Sequence, residues 1–116
     1  MMSAAPIDFE ALVAMFGGDR QTTATLLAAF SEELSADIFA AEQALNQLDS
    51  EALRRIGHHI NGTSVNLKAT LLSAVARELE QACSEATEAV RAIKHRVMLE
   101  QAQSVREAIE VWSTAG

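Results

Sequence analysis

The sequence predicts an all-α protein, an antiparallel up-down-up-down four-helix bundle with a short N-terminal capping helix. Three observations carry this. Apolar residues form 49% of the 116-residue chain, yet aromatics form only 4% and tyrosine is absent, a composition that favours helix over sheet. The single proline is Pro6 and glycines number five, so little interrupts helix formation from Asp19 onward. Apolar residues recur at three- and four-residue spacing over long stretches, as in helices with one buried face. A chain of this length reads as one domain, residues 1–116, able to bury a core without disulfides or metal.

Residues 1–6 read as a disordered lead. Asp8 caps a helix from about Phe9 to Phe16, which Gly17-Gly18 ends. Leu12, Met15 and Phe16 give it an apolar side, and two turns need a larger partner to be stable. Asp19 caps a long helix to about Leu48, with Leu26, Leu27, Phe30, Leu34, Ile38, Ala41 and Leu45 as its core face. The polar break Leu48-Asp49-Ser50-Glu51 starts a helix reaching Leu67 or Lys68. Its buried stripe is Leu53, Ile56, Ile60 and Leu67, with Thr63 and Ser64 between. The next helix runs from about Thr70 to Ala82 or Cys83, with Leu72, Val75, Leu79 and Ala82 inward. Ser84 and Thr87 are candidate caps for the last helix, where Val90, Ile93, Val97, Val105, Ile109 and Trp112 define the inward line to about Ser113. Short connections make the four long helices antiparallel neighbours.

The formal net charge of -7 argues against binding nucleic acid or anionic membranes. Cys83, the one cysteine, excludes an internal disulfide and reads as a small buried hydrophobe. No apolar run reaches the roughly 20 residues of a membrane span, and the first residues lack the pattern of a signal peptide. A cytoplasmic monomer without cofactor is the expectation.

One stretch departs from plain amphipathic helix: Arg54-Arg55-Ile56-Gly57-His58-His59-Ile60-Asn61-Gly62-Thr63-Ser64-Val65. His58 falls roughly 160° from the centre of the apolar stripe, on the exposed face. Gly62, one turn on, costs a helix about 1 kcal/mol relative to alanine, and it leaves the backbone beside His58 bare for a partner to approach. His59, about 100° from the apolar centre, reads as a boundary packing residue, and His95 as a solvated one. Adjacent histidines diverge by about 100°, and neither has a carboxylate one turn away in its own helix, so this pair alone makes no metal site. No Gly-rich phosphate loop is present, and no nucleophile stands beside a base in sequence. The chemistry that fits is an exposed imidazole acting as nucleophile toward a phosphoryl group. Arg54 and Asn61 lie about 40–60° from His58 and are the candidate groups to stabilise the added charge. Val65, apolar on the exposed side, suits docking, as does Arg55 at the edge of the same face.

At these residues the chain resembles the histidine-containing phosphotransfer (HPt) domain family of two-component phosphorelays. The family pattern runs roughly His-x-(apolar)-Lys-Gly-(small)-(small), then Asn-Leu-Gly, with a Leu-Glu pair further on. Here the run is His58-His59-Ile60-Asn61-Gly62-Thr63-Ser64, then Asn66-Leu67-Lys68, then Leu79-Glu80. The opening segment from Ile7-Asp8 to Phe30 is also similar. The resemblance implies that His58 is the phosphorylated residue, relaying a phosphoryl group between aspartates of receiver domains. It also implies a hybrid sensor histidine kinase upstream and the receiver of a response regulator downstream, with the receiver supplying magnesium and an acidic pocket. No ATP site is visible, so a carrier is expected and not an enzyme. Asn61 stands where the family has lysine, and Arg54 is the candidate replacement cation. Lys68 stands where the family has glycine, roughly 15 Å along the axis from His58. Two alternatives remain: a degenerate module that binds a receiver or kinase without phosphotransfer, and an enzyme assembled from distant residues, such as a receiver phosphatase.

Overall fold

Four of the five helices start on a side chain that takes up a free N–H of the first turn, the role aspartate and threonine play as N-caps. Asp8 accepts from Ala11 N–H, Asp19 from Thr22, Asp49 from Ala52 and Thr87 from Val90. The computed structural model describes residues 5–115, so residues 1–4 of the expected lead lie outside the described residues. Its helices are α1 (Phe9–Met15), α2 (Arg20–Asn46), α3 (Ser50–Asn66), α4 (Thr70–Glu85) and α5 (Glu88–Thr114), with no strand among the described residues. The weakest expected boundary resolves in favour of Thr87: Ser84 lies inside α4, which runs on to Glu85.

Three helix ends share one chemistry. α1, α2 and α3 each close with paired N–H donations back to their last turn, such as Ala69 N–H to Ser64 O and Lys68 N–H to Val65 O at the end of α3. This arrangement places one residue in the left-handed region. Gly17 fills that place after α1, but Leu48 (φ 56°) and Lys68 (φ 61°) fill it after α2 and α3. A side chain there costs about 1–2 kcal/mol. Lys68 therefore stands at a helix-ending position where glycine would be unstrained, so the residue chosen there bears on stability.

Neighbours around the bundle pack in chain order, α2 on α3, α3 on α4, α4 on α5 and α5 back on α2. The core between them is built from Leu27, Phe30, Leu34, Leu53, Ile60, Leu72, Leu79, Met98, Val105 and Ile109, all nearly inaccessible. α1 closes one end. Leu12 is fully buried, and Phe9 stacks on Trp112 with ring centres 5.1 Å apart. Arg20 covers the same indole at 3.9 Å and donates to Trp112 O at 2.6 Å. Asp8 N–H donates to Lys68 O, tying this end to the α3–α4 turn.

Two expected core lines shift. In α2, Leu26 is exposed and Thr23 is buried instead, because the Thr23 hydroxyl is satisfied by donating to Asp19 O at 2.9 Å. In α5, Val90, Ile93 and Val97 face outward, and the inward line is His95, Met98, Ala102, Val105, Ile109 and, partly buried, Trp112. That line repeats at three and four residues without a gap, whereas a line through Val97 must jump eight residues to Val105. Continuity decided the register, and a histidine came inside with it.

His95 is thus a core residue and not the solvated side chain expected: it is 6% exposed, and its Nε2 has no hydrogen-bond partner. Burial holds its pKa below the usual 6.5, with Glu42 offsetting only part of the effect. The unfolded chain therefore binds a proton that the folded protein refuses, and stability falls as pH drops from about 6.5 toward the lowered folded value. Urea unfolding at pH 7.5 and at pH 5.5 should show a lower midpoint at the acid end. His95→Leu should remove most of its share of that slope. An unchanged slope in His95→Leu would contradict the account.

Candidate functional site

The site forms where α3 lies against α4, and its register is set by a close approach. Gly57 is buried, and a Cβ built on it would stand 3.2 Å from Ala76 O and 3.5 Å from Glu80 N. A side chain here would press on the α4 backbone, which glycine lets come this near. The same antiparallel register pairs His58 with Glu80 and Asn61 with Ser73, positions that rise along α3 as they fall along α4.

His58 stands on the exposed face, its side chain 72% accessible, with Nδ1 3.0 Å from Glu80 Oε2. A carboxylate only accepts hydrogen bonds, so this contact puts the proton on Nδ1 and leaves the lone pair on Nε2. Gly62 behaves as its spacing implies: no atom lies within 4 Å of the place a Cβ would take. Val65, 57% exposed, extends this open side.

The remaining candidates divide. Asn61 is partly buried and its Oδ1 accepts the Ser73 hydroxyl at 2.6 Å. With the oxygen taken, the amide group is left as donor, which is the polarity a phosphoryl group requires. Arg54 is committed to its own helix: Nη2 donates to Glu51 Oε1 at 2.6 Å and Nε to Oε2 at 3.1 Å. This bidentate contact lowers the pKa of Glu51 and raises that of Arg54. Arg55 is 3.9 Å from the same carboxylate and otherwise exposed. Arg77 of α4 joins Arg54 and Glu80 around a shallow hollow between α3 and α4, which His58 does not line. Arg77 and Glu80 gained no role from sequence spacing, although a usable signal exists. Glycine in α3 and Ala76 in α4 are the small residues that permit close packing, and Glu80 lies one turn beyond Ala76.

His59 points the other way, toward α2. Its Nε2 lies 2.5 Å from Glu33 Oε1 and 3.5 Å from Asp37 Oδ2. It is half exposed and hydrogen-bonded to a carboxylate of the neighbouring helix, so it is a polar interhelix contact and not a boundary packing residue. Asp37 is the more buried carboxylate, and burial raises its pKa, an effect opposed by His59 and reinforced by Glu33. Cys83 is partly buried, and burial raises its thiol pKa above the usual value. No described helix is long and apolar enough to cross a membrane.

Comparison with known proteins gives one family. A family model described as Hpt domain matches residues 25–112, most of the chain and all four long helices in whole or in large part. No curated protein and no solved structure matches the chain.

Proposed function

Because this chain belongs to the Hpt domain family, whose members carry phosphoryl groups and do not act as kinases, we propose that it relays phosphate through His58. The observation that carries this reading is the imidazole itself: 72% accessible, with Nδ1 engaged by Glu80 and Nε2 left as the ring nitrogen free to react. In the transfer, Nε2 forms its bond to phosphorus as the bond from phosphorus to the receiver's aspartate oxygen breaks. The ring becomes cationic, and the Glu80 carboxylate on the opposite nitrogen stabilises that charge, as an orienting carboxylate does beside a catalytic histidine. Glu80 is the positioning residue here and His58 the reacting one. The partners this implies are the receiver domains of a hybrid sensor kinase and of a response regulator, which dock over Gly62 and Val65 with Arg55 at the rim.

Incubation with a phosphorylated receiver tests the proposal, through transfer of acid-labile label to this chain and return of label to a second receiver. A second reading is favoured by one observation. The family's lysine is Asn61 here, and Arg54 is held by Glu51, so a receiver-binding module that takes up no phosphate remains the competing outcome. Binding of the receiver without any label would decide for it. Faster release of inorganic phosphate with no labelled intermediate would decide for a phosphatase.

Asn61→Lys restores the missing cation. A favourable charge at an exposed site contributes up to about 1 kcal/mol, so phosphorylated His58 should persist about two- to fivefold longer. The same change removes the Ser73 contact, at about 0.5–1.5 kcal/mol of stability. Decay of the labelled protein at neutral pH reads the first effect and urea unfolding the second. An unchanged lifetime would show that Asn61, or another donor, already does the lysine's work.

A further inference from the structure

We propose that the α2–α3 interface carries a binding site for a divalent first-row transition metal, zinc being the reference ion, ligated by Glu33, Asp37 and His59. Glu33 and Asp37 are one turn apart on α2, so their side chains leave the same face. His59 enters between them from α3. The ligand atoms, one carboxylate oxygen from each acid and His59 Nε2, all lie within 4.8 Å of one another.

The distances are those a metal can use. Zinc bonds to imidazole nitrogen and carboxylate oxygen are about 2.0–2.2 Å, which places neighbouring ligand atoms roughly 3–3.5 Å apart. Asp37 already stands at 3.5 Å from His59 Nε2, and Glu33, at 2.5 Å, needs to withdraw by less than 1 Å. Glu33 is half exposed and can do so by changing rotamer. Asp37 is only 23% exposed and fixes the inner corner of the site.

The donor set selects the metal class. An imidazole nitrogen suits zinc, nickel or copper and adds nothing for magnesium or calcium, which prefer all-oxygen shells. Three protein ligands leave coordination positions for water, so the ion is held reversibly at a half-exposed surface. Since its ligands come from two helices, the bound metal joins α2 to α3 and favours the folded state. His58, on the other side of α3, contributes no ligand.

Calorimetric titration of the tag-free chain with zinc chloride, beside a thermal unfolding series, tests this. One equivalent of zinc should bind and raise the unfolding midpoint. His59→Gln and Asp37→Asn should each weaken binding by about tenfold or more, since loss of even a supporting partner costs a site that much. His58→Gln should leave both readouts unchanged. Three results overturn the proposal: no saturable zinc binding, magnesium binding as tight as zinc, or binding abolished by His58→Gln and untouched by His59→Gln. Because none of these measurements involves phosphotransfer, failure here is distinct from failure of the relay.

Discussion

His58→Gln should abolish uptake of label from a phosphorylated receiver, a loss of at least about 10³-fold, because the covalent carrier itself is removed. Glutamine keeps a side chain that can still meet Glu80 but has no nucleophilic nitrogen. The fold should be unaffected, since the residue is exposed and its one pairing lies at the surface, where such contacts contribute up to about 1 kcal/mol. His59→Gln should retain label, because that side chain faces Glu33 and Asp37 on α2. Acid-labile labelling of the two variants, side by side, checks the assignment. Label surviving in His58→Gln would move the site elsewhere.

Gly57→Val should lower stability by about 1–3 kcal/mol, the usual result of forcing a side chain into a packed interface. The added Cβ meets α4 backbone, which cannot turn aside as a side chain can. The relief available is for α3 and α4 to separate, and that carries Glu80 away from His58. The variant should therefore lose stability and transfer label more slowly. Gly62→Ala supplies the contrast: its Cβ enters open space, so an exposed helix position should gain up to about 1 kcal/mol, while the docking face becomes less accessible. Urea midpoints together with transfer rates separate the two glycines. Equal destabilisation by both substitutions would refute the distinction.

Much of this arrangement was legible along single helices. The caps at Asp8, Asp19, Asp49 and Thr87 are local chemistry, and each starts a helix as its sequence context implies. The exposed face of His58, the bare backbone at Gly62 and the exposed Val65 follow from helical period alone. What period cannot supply is the neighbour across an interface. Spacing offers Arg54 as the cation beside His58, but Glu51, three residues earlier in the same helix, takes it. Glu80, Glu33 and Asp37 meet the histidines only because α4 and α2 flank α3, and no spacing within α3 encodes that. The burial of His95 escapes the sequence for a related reason. Hydropathy favours Val90, Ile93 and Val97, while burial follows the unbroken line at three- and four-residue spacing that includes the histidine.

The adjacent histidines have a mechanical consequence. His58 reaches sideways to α4 and His59 to α2, so α3 is guyed on both flanks by side chains one residue apart. A roll of α3 about its own axis in either sense slackens one stay and tightens the other. Through two consecutive residues, α3 is thus tied to the helix on each of its flanks.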